Sequence, residues 1–375
     1  MIRHSRNVSE SWQRLPWRQF CRHLFRLQKR VYKAVRVGDL RKAKSLQKLI
    51  LKSRSAQLLA IRQVLQANSL TEVLSPTIRQ RVWQWVIKYA LEPAHETNFH
   101  INSYGWKRGF SPQDAQRMLQ VYLSEIPGHQ TRVIKIDLGK SLEKINPRAI
   151  CKRLIAPVEI KRGIRSQCVS VENPELITSL LANIFLKEIE DIGKLVWYGR
   201  EIVIILQSQD HPERILDTIR HSLAKDGIEL ATEETKLIAA TDGFDFLSWH
   251  FQVQKNGKLR CVPGLKNFQA FRQKVKHIVN NSNYGATIKA QKLSLIVGEW
   301  RNYHRYCNMS GARFSLYHIK YRAFKVFNRE TKQNRQISKQ LINKAFPRVN
   351  SGQSSSRNGE WQNSTLSHTP GKSYS

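Results

Sequence analysis

The run Leu195-Val196-Trp197-Tyr198-Gly199-Arg200-Glu201-Ile202-Val203-Ile204-Ile205-Leu206 constrains this chain more than any other stretch. Apolar, mostly β-branched residues stand on both sides of a Tyr198-Gly199 step. That pattern reads as two short strands joined by a tight turn. The flanks carry almost nothing polar, so the hairpin is expected to be buried, with Arg200 and Glu201 presented at its tip.

What surrounds the hairpin is set by charge. The chain has 375 residues, 41% of them hydrophobic, enough for a substantial core divided into two or three units. Its formal net charge is +35, from 63 Lys and Arg against 28 Asp and Glu. Residues 1–54 carry 16 basic and 2 acidic side chains, and residues 250–350 carry 21 and 2. The body between them, 55–249, is almost balanced at 24 and 23. Two basic regions flanking a neutral body imply a polyanionic partner, because each neutralised phosphate releases counterions. An anionic membrane is the other candidate surface. The chain has no apolar run of roughly 18 residues, no signal-peptide pattern and no lipidation motif, so membrane association is not expected. Cys21, Cys151, Cys168, Cys261 and Cys307 form no Cys-x-x-Cys pair, which suits free thiols in a reducing compartment.

Helical periodicity runs from Trp12 to Ala67, broken at Gly38-Asp39, and predicts two or three helices. Leu24, Leu27, Val31, Ala34 and Val35 share one face; Leu46, Leu49, Ile50, Leu58, Leu59 and Ile61 follow. Arg22, Arg26, Lys29, Arg30, Lys33, Arg36, Arg41, Lys42 and Lys44 fill the polar faces, and with so few acids to balance them they favour contact with RNA or DNA. Another helix is expected from Pro76 to Leu91. Val133-Ile134-Lys135-Ile136-Asp137-Leu138 reads as a strand ending in a carboxylate. The alternating run after Trp249, with Asn256-Gly257 at its turn, reads as a second hairpin. Basic helices follow Pro263, and the Ser-, Asn- and Gly-rich stretch after Pro347 is expected to be disordered. His95-Glu96 and His100 miss the His-Glu-x-x-His zinc spacing by one residue, so no metal site is expected there.

In chain order, the distinctive segments resemble those of group II intron-encoded reverse transcriptase/maturases over roughly residues 12–349. Leu27-Gln28-Lys29-Arg30 and Leu46-Gln47-Lys48-Leu49 resemble that family's N-terminal helices. Ser103-Tyr104-Gly105-Trp106-Lys107-Arg108-Gly109-Phe110-Ser111 resembles its Ser-Tyr-Gly-Phe-Arg-Pro-Gly-Arg-Ser segment, with both arginines altered. Leu180-Leu181-Ala182-Asn183-Ile184 keeps the helical half of a motif whose Pro-Gln-Gly-Gly half is gone. Gly243-Phe244-Asp245-Phe246-Leu247 and Gly298-Glu299-Trp300-Arg301-Asn302-Tyr303 resemble the segments that end the palm and mark the maturase, or thumb, domain.

The resemblance implies an α+β fold: a right-hand polymerase-like palm with reduced fingers, then an α-helical maturase (thumb) domain. It divides the chain into a basic N-terminal helical RNA-binding region (1–70), a degenerate reverse-transcriptase fingers and palm (71–262), a helical maturase or thumb domain (263–349) and a disordered tail (350–375). No endonuclease domain is expected. The 197–201 turn resembles the family's Tyr-Ala-Asp-Asp hairpin, with Gly199 at the Ala and Arg200 and Glu201 at the two Asp. Two-metal nucleotidyl transfer needs carboxylates around ions about 3.5–4 Å apart. At about 4 Å and an effective dielectric of about 20, unit charges interact by about 4 kcal/mol, so an arginine opposing a divalent ion costs roughly twice that. Asp137 and Glu201 are expected to support at most one loosely held ion. Glu234 falls at the position of a lysine that protonates the leaving pyrophosphate in polymerases.

No metal or cofactor of the protein's own is therefore expected, magnesium belonging to the partner RNA, and Asp137, Gly199, Arg200, Glu201 and Glu234 are positions of abandoned catalysis. The RNA-contact candidates are the nine N-terminal cations above with Arg301, Arg305, Arg313, Lys320, Arg322 and Lys325. Trp300, Tyr303 and Tyr306, three residues apart, read as core or as rings that stack on nucleotides. The expected function is binding structured intron RNA and assisting its splicing without reverse transcription; a residual RNA-directed DNA polymerase and a nonspecific RNA-binding relic are the alternatives. DNA contact and a homodimer stay open. By resemblance the setting is a plastid (chloroplast) or a bacterial cytoplasm.

Overall fold

The computed structural model describes residues 12, 14–67, 76–96, 103–105, 109–125, 131–143, 147–167, 193–225, 228–309 and 314–347. It is a mixed α and β structure.

Three helices open it, α1 (Trp17–Arg36), α2 (Leu40–Lys52) and α3 (Arg54–Ala67). The break between the first two is Gly38, at a φ of +79°, and the Asp39 side chain then caps α2 by accepting from Lys42 N at 2.9 Å. Helix α4 (Pro76–His95) packs against all three. It contains Pro93, whose missing N–H leaves the Tyr89 carbonyl without its intrahelical donor. Gln28 repairs this, its Nε2 donating to Tyr89 O at 2.8 Å. Gln47 Nε2 donates in the same way to Ala90 O at 3.1 Å and to Ile155 O at 2.8 Å. Both glutamines are buried. In the two Leu-Gln segments the glutamines thus hold helices together, while Arg30 and Lys48 beside them face solvent.

Helix α5 (Pro112–Ser124) leads to β1 (Arg132–Asp137), and short helices α6 (Gly139–Glu143), α7 (Pro147–Arg153) and α8 (Val158–Gln167) follow. Then come β2 (Lys194–Tyr198), β3 (Glu201–Leu206), α9 (Pro212–Ala224) and, after a single 3-10 turn at Thr232–Glu234, β4 (Thr235–Ala239). These strands make an antiparallel sheet in the order β2-β3-β1-β4. Ile134, Ile136, Leu195, Trp197, Ile202, Ile204 and Leu206 project into the core shared with α1–α4 and α7–α9. Val133, Val196, Val203 and Ile205 project the other way, against α5 and a second sheet. Being covered on both faces, β3 has no use for polar alternation.

The second sheet is a meander of β5 (Phe244–Phe246), β6 (Trp249–Val253) and β7 (Leu259–Pro263). Gly257, at a φ of +76°, supplies the left-handed residue in the β6–β7 turn. Beyond it, α10 (Leu265–Asn280), α11 (Ala286–Tyr303), α12 (Tyr317–Glu330) and α13 (Arg335–Ala345) pack around Phe271, Leu293, Val297 and Phe327. Trp300 lies in this core, stacked on Phe271 with ring centroids 4.4 Å apart. Tyr303 stacks on Trp249 at 4.7 Å, and its hydroxyl donates to Leu247 O at 2.7 Å, which joins the helices to the second sheet.

Cys21, Cys151, Cys261 and Cys307 are free thiols; Cys168, the Leu180–Ile184 motif and the tail lie outside the described residues. No described helix is long and apolar enough to cross a membrane.

Candidate functional site

Register brings the site together. Asp137 ends β1 directly opposite Glu201, the first residue of β3, and the Tyr198-Gly199-Arg200-Glu201 turn closes beside them. The turn is held from within: Gly199 adopts a φ of +62°, and Trp197 Nε1 donates to its carbonyl at 2.7 Å. It is also held from outside. Tyr104 N donates to Trp197 O at 2.8 Å, and Gly105 lies so close that a Cβ there would sit 2.5 Å from Gly199 N. The Ser103-Tyr104-Gly105 segment, 94 residues before Gly199 in numbering, thus buttresses the hairpin tip, and only glycine permits the approach.

The two carboxylates face cations. Arg200 Nε lies 3.1 Å from Asp137 Oδ1, which also accepts from Gly139 N at 3.1 Å. Lys135 Nζ lies 3.4 Å from Glu201 Oε2. Leu138 N, donating to Arg200 O at 3.0 Å, fixes the backbone between the two sides. Two carboxylates already matched by two cations do not form the anionic cradle that a pair of divalent ions requires, so the two-metal centre of a polymerase does not fit these residues. Among the described residues, no three His, Cys, Asp or Glu side chains converge as a metal site.

Glu234 serves as a structural lock. It is buried, accepts from Ser141 N at 2.9 Å and from Ser141 Oγ, and so ties the turn before β4 to α6. Lys236 points to solvent. His95 is buried at the end of α4, where its Nε2 accepts from Ile155 N at 3.2 Å; His100 lies outside the described residues.

The basic candidates occupy two regions. On α1 and α2, Arg22, Arg26, Arg30, Lys33, Arg36, Arg41, Lys42 and Lys44 are exposed and Lys29 is half-buried. In the C-terminal region, Arg305, just past the end of α11, and Lys320, Arg322 and Lys325 on α12 are exposed. Arg301 differs: it is half-buried, burial lowers its pKa, and its guanidinium donates to Pro347 O, fastening α11 to the chain after α13. Arg313 lies outside the described residues. Of the aromatic stripe only Tyr306 is exposed, flanked by the guanidinium groups of Arg305 at 4.6 Å and Arg117 at 5.3 Å. Sequence reasoning passed over Lys135, whose partnership with Glu201 depends on the β1–β3 register, and Arg117, which reaches Tyr306 from α5.

A buttressed hairpin between two strands, with ion-paired residues at its tip and basic helices before and after it in the chain, fits a reverse-transcriptase-related protein. Residues 12–84 match the family model for the N-terminal domain of reverse transcriptase. The chain is 32% identical over 397 residues to maturase-like protein 1 of Euglena gracilis, covering 89% of this chain and 86% of the relative. It is 31% identical over 395 residues to maturase-like protein 1 of Euglena longa, covering 88% and 86%. The chain belongs to the group II intron maturase/reverse-transcriptase-like family. Among solved structures it is similar to telomerase from Candida albicans in complex with a TWJ fragment of telomeric RNA, at 11% identity and a TM-score of 0.29 over 74% of this chain and 57% of that one. At that score the likeness carries no weight.

Proposed function

We propose that this protein binds structured intron RNA and assists its splicing without polymerising DNA. The observation that carries the reading is the Arg200–Asp137 ion pair at the hairpin tip: the scaffold is intact around a site whose carboxylates are occupied by its own cations. The exposed cations of α1, α2 and α12 would neutralise phosphates where RNA helices crowd together, favouring the ribozyme's active fold, while the RNA and its magnesium perform the transesterifications. In this reading the four-stranded sheet is a palm, α1–α4 belong to the N-terminal region and reduced fingers, and α10–α13 are the thumb. The setting is a plastid or a bacterial cytoplasm.

The test is splicing of the parent intron at near-physiological magnesium. The protein should accelerate splicing over RNA alone and favour its own intron over an unrelated structured RNA. Equal affinity for both RNAs would mark a nonspecific binder, and primer extension on an RNA template with magnesium or manganese would mark a residual polymerase. Either result overturns the proposal.

A further inference from the structure

Charge and exposed aromatic surface coincide on α12. Tyr317, Tyr321 and Lys325 follow at four-residue spacing and therefore share one face of the helix. Tyr317 is 67% exposed and Tyr321 50%. Their rings are held nearly parallel, centroids 6.3 Å apart and planes 5° from each other, and Lys325 Nζ lies 4.7 Å from the Tyr321 ring centre. These rings are not needed for the fold: the opposite face of α12 supplies Ala323 and Phe327 to the core.

The surroundings are cationic. Lys320, Arg322 and Arg329 are exposed on the same helix, and its one acid, Glu330, is engaged by the buried Lys289 of α11. Just past the helix, Lys332 and Gln333 both take left-handed backbone conformations, with φ of +52° and +64°. The turn brings Lys332 beside Lys325 and Arg329 around a hollow of about 480 Å³.

We propose that this face of α12 is a docking platform for an unpaired segment of RNA. Bases stack on Tyr321 and Tyr317, and the adjoining phosphates lie over Lys325, Arg329 and Lys332. Stacking selects unpaired RNA, because bases within a duplex have their faces covered by their neighbours. The charge selects a polyanion over an apolar protein surface, which would leave these cations desolvated and unmatched. The inference rests on the RNA-binding reading and adds to it a site and the conformation of RNA that the site accepts.

The experiment uses the full chain with an unstructured RNA 12-mer carrying 2-aminopurine, and with the same strand annealed to its complement. Tyr317→Ala/Tyr321→Ala should weaken single-strand binding about tenfold or more and abolish the fluorescence quenching that stacking causes. Tyr317→Phe/Tyr321→Phe should keep both, and duplex affinity should change less than about twofold. Thermal melting of each variant checks that α12 is intact. Unchanged single-strand affinity in the Ala variant, or equal weakening of strand and duplex, overturns the platform. Failure of the wild-type protein to bind the single strand also overturns the platform, whereas failure to bind the parent intron RNA would overturn the RNA-binding reading beneath it.

Discussion

Arg200 Nε, on the β2–β3 turn, stands 3.1 Å from Asp137 Oδ1 at the end of β1, so a guanidinium sits against that strand's one aspartate. Lys135 does the same for Glu201 at 3.4 Å. Each pair is partly exposed, and exposed pairs contribute little to stability. Arg200→Ala should therefore change unfolding free energy by less than about 1 kcal/mol in urea denaturation. The combined Arg200→Asp/Glu201→Asp variant should bind Mn²⁺ about tenfold or more tightly than the wild type in an electron paramagnetic resonance titration, a gain of about 1.4 kcal/mol. No gain would mean that Arg200 is not what excludes the ion.

Gln28 and Arg30 make an informative pair because they are neighbours in the sequence and opposites in role. Gln28→Ala removes the donor to the Tyr89 carbonyl beside Pro93 and should cost about 1–3 kcal/mol of stability. Arg30→Ala, on the exposed face, should stay within about 0.5 kcal/mol. RNA affinity should respond in the reverse order, with Arg30→Ala weakening binding in moderate salt.

Gly105→Ala tests the buttress on the hairpin tip. A methyl group 2.5 Å from Gly199 N must push two backbone segments apart, and the expected loss is about 1–3 kcal/mol. Gly38→Ala is the comparison. Its Cβ meets nothing within 4 Å, and its cost should come from the left-handed φ alone.

Acid should unfold the protein in part through two buried histidines. Burial lowers His304 from 6.5 to about 4, and burial followed by the charge of Lys161 does the same to His95. In the unfolded chain both titrate near the ordinary value, so between there and about 4 the unfolded state binds more protons. Stability is full above pH 6.5 and falls as pH drops through this window, by up to roughly 3 kcal/mol for each histidine. Melting temperatures from pH 7.5 down to 4.5 should show the decline, and His304→Gln should make it shallower. An identical slope in that variant would remove His304 from the account.

How much of this was legible in the sequence depended on how local the cause was. The β2–β3 hairpin followed from a β-branched run around Tyr198-Gly199, and the β6–β7 turn from Asn256-Gly257, because a tight turn is decided by a few adjacent residues. The break at Gly38-Asp39 was legible for the same reason. Leu49, grouped by periodicity with the apolar face of α2, is in fact 51% exposed, since a period does not say how wide the neighbouring surface is. The Gly105–Gly199 contact, the Lys135–Glu201 pair and the Glu234 lock on Ser141 were not legible at all. Each depends on strand register or on segments tens of residues apart. Tyr317 and Tyr321 carried a signal that went unread, four-residue spacing of rings inside a run of Lys, Arg and His, and only their exposure separates them from a core stripe such as Trp300.

The salt dependence of binding to the parent intron RNA tests the central claim most directly. If the protein holds its RNA through the exposed cations of α1, α2 and α12, affinity should fall about 10³-fold or more between about 50 and 200 mM salt, with the slope shallower in variants that lose those cations. An affinity that barely changes with salt, or a slope unmoved by removing them, would contradict it.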